Sequence, residues 1–182
     1  MSFLSYSTSY QGILDIFMRD PARYLPFTEL LAGIMNGESA LSKPQREMIA
    51  THVSKLNDCH YCIGSHKAVL AALGEDEATI AAVESGSLAD PKMEQVLAFA
   101  TKLTQTPGAI DQADVDTLRN AGWSDQAVED VICVVSLFAF PNRLVDGFGI
   151  KGSAEGFNRA GAMIGEHGYG PVVQMIQEKA TA

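Results

Sequence analysis

The chain has 182 residues, of which 47% are hydrophobic and 19% are charged, and its formal net charge is −9. This composition is typical of a folded globular protein and excludes a disordered chain. Lysine and arginine are dispersed, and an acidic surface repels phosphate backbones, so we expect no binding to nucleic acid. The length suits one domain, and we treat residues 1–182 as a single predicted domain.

Membrane and secretion signals are weak. No uninterrupted apolar stretch reaches the roughly 18 residues that a transmembrane helix needs. The longest, residues 131–140, contains Cys133 and Ser136 and predicts a buried core helix. The first residues lack the basic and then apolar pattern of a secretory signal. We therefore expect a cytoplasmic protein that does not contact a membrane.

Apolar residues recur at helical spacing along most of the chain, and Gly or Pro separates the periodic segments. Sustained alternation of apolar and polar residues, which is typical of strands, is nearly absent. The pattern predicts an all-α fold, a compact helical bundle. The predicted helices cover residues 10–19, 22–35, 42–56, 59–73, 76–84, 90–105, 111–120, 124–140 and 171–179. Pro141 should kink or divide the helix it follows, and the glycine-rich stretch 147–170 has no clear assignment.

Two of these helices form a predicted hairpin. Ser42 has the features of an N-cap, with Pro44 in the first helical turn. Asn57 and Asp58 break the first helix, and Asp58 can cap the second, which begins at or near Cys59. The hairpin places residues of both helices close together.

A weak internal echo accompanies the hairpin. When the sequence is compared with itself at an offset of 82 residues, Glu47 aligns with Glu129 and Ser54 aligns with Ser136. The cysteines of the first copy fall on other residue types in the second. Two related helical halves with one active copy would give this pattern, and so would chance.

The chemistry concentrates at the start of the second hairpin helix. Residues three and four apart share one helix face, so Cys59, Cys62 and His66 lie in order along it. A spacing of three is compatible with a disulfide. An odd total of three cysteines argues against a secreted disulfide framework, and in a reducing cytosol the Cys-x-x-Cys pair favours redox chemistry or metal binding.

Each residue type in this group has a chemical reason to be there. A thiolate is the nucleophile, and the helix N-terminus favours that anion. The imidazole of His66 can take the thiol proton, and a second cysteine can capture the oxidised first one. A carboxylate that orients the imidazole or relays protons is still needed. Glu47, on the preceding helix, is the candidate.

Other interpretations of the same residues stay open. Cys59, Cys62 and His66 could supply three zinc ligands, although a structural zinc usually has four protein ligands and no second ligand pair is evident. The pair could also be buried and inert. Cys133 is predicted to be a small core residue. His52 and His60 are predicted on helix surfaces, and we assign no role to His167.

The combined spacing resembles the alkyl hydroperoxidase D-like / carboxymuconolactone decarboxylase superfamily, and within it most of all the uncharacterised peroxidase-related enzymes. The strong match covers residues 41–73. The residues that carry it are Leu41-x-x-x-x-Arg46-Glu47-x-Ile49, then Asn57-x-Cys59-x-Tyr61-Cys62-x-x-x-His66, with a later segment Phe140-Pro141-Asn142-Arg143.

The resemblance implies a compact all-α bundle and a homo-oligomer, a dimer, trimer or hexamer. By the family's mechanism, Cys62 is the nucleophile that attacks a hydroperoxide, His66 activates it, and Glu47 takes part in the proton relay. Cys59 resolves the sulfenic acid as a disulfide. An external dithiol reductant regenerates the pair, and the resemblance implies no cofactor.

One position departs from the family pattern. Characterised hydroperoxidase members have a histidine directly before the second cysteine, where this chain has Tyr61, and His60 points to another side of the helix. The departure predicts a shortened relay or a different substrate. The alternatives are a decarboxylase-like non-redox enzyme or a non-enzymatic redox-sensing or metal-binding protein. The decarboxylase branch generally lacks the cysteine pair, so Cys59 and Cys62 favour redox chemistry.

Overall fold

A computed structural model describes residues 2–181, and every regular element within that range is helical. The all-α prediction is therefore confirmed. The helices are α1 Ile13–Arg19, α2 Pro21–Asn36, α3 Lys43–Leu56, α4 His60–Ala72, α5 Glu77–Ser85, α6 Pro91–Gln105, α7 Gln112–Asn120, α8 Asp125–Phe148, α9 Ala154–His167 and α10 Gly170–Thr181, with a 3-10 turn at Pro107–Ala109.

The hairpin of α3 and α4 forms as its sequence signals indicate. The Ser42 hydroxyl accepts a hydrogen bond from the Gln45 N–H, and the Gln45 side chain accepts one from the Ser42 N–H, which closes a capping box at the start of α3. One detail differs, because Cys59 and not Asp58 is the N-cap of α4. Asp58 instead takes the left-handed conformation, with φ of 54°, that turns the chain between the helices.

Pro141 does not divide α8, which runs unbroken from Asp125 to Phe148. Proline removes one backbone hydrogen bond, but packing holds this helix on both sides of that point, with Phe138 buried before it and Val145 after it. Most of the segment that aligns with the α3–α4 hairpin at the offset of 82 residues thus lies in one continuous helix and not in two. The internal duplication remains a hypothesis.

By length and composition, α8 is also long and apolar enough to cross a membrane. Its apolar residues are interrupted by polar ones, so the uninterrupted stretches of the sequence do not reveal this property. The core helix of a globular protein satisfies the same criterion, and ten residues of α8 are buried against the rest of the fold.

Two hydrophobic clusters hold the helices together. The main core gathers side chains of α2, α3, α5, α6 and α8 around Ile49, Val53 and Leu97, which are fully buried. The second cluster, which we call the cysteine-side core, joins α1, α2, α10 and the end of α8 to the start of α4. Cys59 and Cys62 belong to this second cluster. α4 therefore begins in the cysteine-side core, and the α3–α4 hairpin spans both clusters.

The glycine-rich stretch forms α9, which packs along α4. A Cβ atom at Gly161 would lie 2.6 Å from the backbone carbonyl carbon of Ala68, and one at Gly165 would lie 2.7 Å from the Cβ of Ala72. A spacing of four puts both glycines on one helix face, so α9 can approach α4 more closely than any larger residue would permit. The glycines that obscured the sequence pattern are thus what fixes the position of α4.

Candidate active site

The hairpin brings Glu47 of α3 against His66 of α4. The Nδ1 atom of His66 lies 2.7 Å from Oε2 of Glu47, and both side chains are buried, with 6% and 3% of their surface exposed. A charge-assisted hydrogen bond in such a site is stronger than one in water. The contact between Glu47 and His66 that the sequence predicts is therefore present.

The electrostatics of this contact favour a protonated imidazole. Burial by itself lowers the pKa of His66, but the charge of Glu47 and its hydrogen bond outweigh burial, so the pKa of His66 is raised above its ordinary value. The ring of Phe138 meets the imidazole edge to face, with centroids 4.5 Å apart, and shields it from water. The contact with Glu47 thus favours a positive charge on His66 beside the first turn of α4.

The two cysteines occupy that first turn and are not equivalent. Both are free thiols and both are buried. The hydrogen bond between them lowers the pKa of the Cys62 thiol; burial opposes this shift, and the charge of His66 adds to it. The same hydrogen bond, with burial, raises the pKa of Cys59. In the reduced pair these opposite shifts favour Cys62 as the thiolate and Cys59 as its hydrogen-bond donor.

A buried amide from α8 completes the surroundings of Cys62. Asn142 is 1% exposed, and its hydrogen bond lowers the pKa of Cys62 further. The same amide donates to the Ser54 hydroxyl at 3.0 Å, and its oxygen accepts from the Asn57 side chain at 2.9 Å. These partners fix which way the amide points. The family resemblance included Asn142, but sequence reasoning gave it no role.

The C-terminal part of the chain adds a second residue that sequence reasoning missed. The hydroxyl of Tyr169, between α9 and α10, donates a hydrogen bond of 2.9 Å to Oε1 of Glu47. Burial and the neighbouring Glu47 charge raise the pKa of Tyr169 well above its ordinary value, so it remains a donor. The nearest sequence signal is the pair of glycines that flank this tyrosine, a residue type that permits backbone conformations closed to others, and their stretch had no clear assignment from the sequence.

Tyr61 stands apart from this network. Its hydroxyl accepts a hydrogen bond of 3.1 Å from the backbone N–H of Ile13, and its ring meets Phe157 edge to face. Tyr61 therefore anchors the start of α1 rather than linking Cys62 to another proton carrier. His60, the nearest histidine in sequence, is exposed as predicted and lies outside the site.

A cavity of about 150 Å³ opens beside Cys62 and His66. Apart from Tyr61, Cys62, Ser65, His66 and Tyr169, its walls are aliphatic and aromatic side chains of α1, α2, α4, α8, α9 and α10. A space of this volume accommodates a small organic molecule with the thiol at its wall.

Two sequence predictions outside the site are wrong. His52 is buried and not on the surface, because its ring nitrogens bind the Val83 carbonyl and the Thr101 hydroxyl at 3.0 and 2.8 Å. Cys133 is half-exposed and not in the core, because it lies on the edge of the buried face of α8. Among residues 2–181, no three His, Cys, Asp or Glu side chains are arranged to hold one metal ion.

Comparison with known proteins identifies a family model that matches part of the chain and solved structures that cover about four fifths of it. The model of the carboxymuconolactone decarboxylase family matches residues 21–105. An uncharacterised peroxidase-related protein from Silicibacter sp. TM1040 is 30% identical, with a TM-score of 0.75 over 80% of this chain and 78% of that one. The alkylhydroperoxidase core of an uncharacterised peroxidase-related protein from Ralstonia eutropha JMP134 is 25% identical, with a TM-score of 0.74 over 81% and 78%.

A third structure, a protein of unknown function from Agrobacterium tumefaciens, shares the fold at 16% identity, with a TM-score of 0.57 over 84% of this chain and 99% of that one. No curated protein matches the chain. The family resemblance drawn from the motif spacing is therefore confirmed by the matched model and by the first of these structures.

Proposed function

The chain belongs to the alkyl hydroperoxidase D-like / carboxymuconolactone decarboxylase superfamily, and we propose that it is a thiol peroxidase that reduces hydroperoxides through Cys62 and Cys59. One observation carries the proposal. A thiol with a lowered pKa lies beside a histidine with a raised pKa, and a buried carboxylate holds that histidine. Lowered thiol pKa values beside a cation are typical of reactive cysteines.

In the first step the Cys62 thiolate attacks the outer oxygen of the hydroperoxide. The S–O bond forms as the O–O bond breaks, Cys62 becomes a sulfenic acid, and the alkoxide leaves. The alkoxide takes a proton from the His66 imidazolium, so the product is an alcohol. Glu47 stabilises that imidazolium before the transfer.

In the second step Cys59 attacks the sulfur of the sulfenic acid, and a disulfide forms with release of water. Cys59 donates to the thiolate in the reduced pair, and that interaction, the main cause of its raised pKa, ends when Cys62 is oxidised. An external dithiol then reduces the disulfide by exchange and is itself oxidised. Its two hydrogens restore both thiols.

The cavity beside Cys62 supports an organic hydroperoxide as the oxidant, because its walls are largely apolar. We also propose that copies of the chain associate, as the family resemblance implies. Leu30 and Phe140 on α2 and α8 are large apolar side chains with 55% and 46% of their surface exposed, and such residues commonly meet at interfaces.

A decarboxylase-like, non-redox reaction is the second candidate, favoured by the match of residues 21–105 to the carboxymuconolactone decarboxylase family. That reaction would use the same cavity and would not need either thiol. The two candidates therefore predict opposite results when the cysteines are replaced.

Replacement of Cys62 by serine tests the proposal. We expect Cys62→Ser to abolish peroxide turnover with a dithiol donor, because serine supplies no thiolate. Cys59→Ser should allow one oxidation of Cys62 and then stop, and mass spectrometry should find the sulfenic acid on Cys62. The matched control is Cys133→Ser, which should turn over normally. Undiminished turnover in Cys62→Ser would refute the proposal, and a lactone-decarboxylating activity that survives loss of both cysteines would favour the second candidate.

A further inference from the structure

Both oxygen atoms of the Glu47 carboxylate accept a buried hydrogen bond. Oε2 accepts from Nδ1 of His66 at 2.7 Å, and Oε1 accepts from the Tyr169 hydroxyl at 2.9 Å. The three side chains are buried together, since Tyr169 has only 6% of its surface exposed. With two fixed donors the carboxylate cannot rotate without breaking a buried, charge-assisted hydrogen bond.

The backbone around Tyr169 is shaped to deliver its hydroxyl to this place. Gly168 has φ of 67° and ψ of −160°, a conformation that residues with a side chain rarely adopt. A Cβ atom there would also meet the side chain of Asn36. That side chain accepts the Tyr169 N–H at 2.7 Å, so α2 holds the tyrosine backbone directly.

We propose that Tyr169 is a positioning residue of the thiol site: its hydroxyl holds the Glu47 carboxylate on His66 and thereby sustains the reactivity of Cys62. The inference rests on the proposed function for its biological meaning, but its physical content concerns the reactivity of Cys62 alone. Tyr169 acts through Glu47 and does not exchange protons itself.

Burial and a neighbouring carboxylate oppose the charged forms of His66 and Cys62. Besides Tyr169, four titratable groups of the described chain lie around Glu47, His66 and Cys62: Cys59 at the N-cap of α4, Tyr61 of α4, Asp146 of α8 and Arg46 of α3. Burial opposes the charge of His66, and Asp146 opposes a thiolate at Cys62. Without the Tyr169 hydroxyl, the Glu47 carboxylate loses one of its two hydrogen-bond donors. The ion pair of Glu47 with a protonated His66 then becomes less favourable relative to the neutral pair.

The test is the rate at which iodoacetamide alkylates Cys62 in the reduced protein, measured from pH 5 to pH 9. Tyr169→Phe keeps the ring and removes the hydroxyl. We expect its alkylation rate at pH 7 to fall by about three- to tenfold, with the transition displaced to higher pH, because loss of a hydrogen bond to a charged group disfavours the ion pair. Tyr24→Phe is the matched control. Tyr24 is a buried tyrosine whose ring packs on Phe17, and this change should leave the profile unaltered.

A double-mutant cycle separates positioning from a general structural effect. In a Glu47→Gln background, Tyr169→Phe should change the alkylation profile little further, because the tyrosine acts through the carboxylate. An unchanged profile in Tyr169→Phe alone, or an equal shift in both backgrounds, would overturn the proposal. The assay contains no peroxide, so absence of peroxide turnover in the wild-type protein would defeat the proposed function and leave this result intact.

Discussion

The two buried histidines of the molecule, His52 and His66, belong to neighbouring helices but have opposite electrostatic surroundings. His52 is bound to a neutral carbonyl and a neutral hydroxyl, and burial lowers its pKa. His66 is buried to a similar degree, but its partner is the Glu47 carboxylate, and its pKa is raised. Burial alone therefore keeps a histidine neutral here, and a single buried carboxylate reverses the result.

The difference separates a structural region from a reactive one. His52 ties α3 to α5 and α6 through Val83 and Thr101 and serves the packing of the main core. His66 lies where the main core meets the cysteine-side core, and its raised pKa favours a positive charge next to a thiol. Three experiments would break or sharpen this contrast.

The largest effect should come from making the surroundings of His66 resemble those of His52. In Glu47→Gln the partner becomes a neutral amide, so we expect the pKa of His66 to fall and peroxide turnover to drop by about 100- to 1,000-fold. NMR titration of the imidazole and kcat/KM with a hydroperoxide would measure both. The matched control is Glu84→Gln, which removes the partly exposed ion pair of Glu84 with Lys67 on α4. A His66 pKa that stays raised in Glu47→Gln would contradict the electrostatic account.

A smaller effect should distinguish the two kinds of thiol. Cys133 is more exposed than Cys62, but burial and the charges of Glu129 and Asp130 raise its pKa. We therefore expect iodoacetamide at pH 7 to modify Cys62 about tenfold faster than Cys133, since the thiolate is the reactive form. Mass spectrometry of the partly labelled protein gives the ratio. Faster labelling of Cys133 would mean that access, and not charge, controls reactivity.

The smallest effect concerns stability. The pKa of His52 is lower in the folded protein than in the unfolded chain, where it is about 6.5. The stability that this difference contributes is therefore complete above about pH 6.5 and is lost as the pH falls from there toward the folded pKa. His66 has the opposite sign: its contribution is complete below the ordinary value and is lost as pH rises through its raised pKa. Urea unfolding from pH 5 to pH 8 should therefore show a smaller acid loss in His52→Gln than in wild type. An identical acid loss would show that His52 is not kept neutral.

Sequence patterns predicted the helices well, because apolar spacing and caps are local signals. Every predicted helix is present, and apart from α8 the bounds differ by three residues or fewer. The errors come from tertiary contacts. Packing on both sides of Pro141 keeps α8 intact, and close contact with α4 makes the glycine-rich segment a helix. Neither effect can be detected from spacing along one segment.

The candidate site divides in the same way. The motif predicted a face with Cys59, Cys62 and His66, and the hairpin predicted that Glu47 would lie beside it. The motif could not predict the contacts of Asn142 or Tyr169, because these residues lie in α8 and in the turn between α9 and α10, more than 70 residues after His66. His52 was misassigned because helical spacing does not show which faces other helices cover. The catalytic roles of the four motif residues remain predictions.

The glycine face of α9 has a consequence for how reactivity in this superfamily can diverge. The matched family model ends at residue 105, and all four motif residues lie inside it, whereas Gly161, Gly165 and Tyr169 lie beyond it. A motif hairpin transferred into another helical bundle would bring the four motif residues with it. It would lack the α9 face and the tyrosine that pack against the hairpin in this protein. The proposed role of Tyr169 therefore predicts that two relatives with identical motifs differ in thiol reactivity when their segments corresponding to residues 154–170 differ. A library that varies only residues 154–170 would explore such differences while leaving the motif untouched.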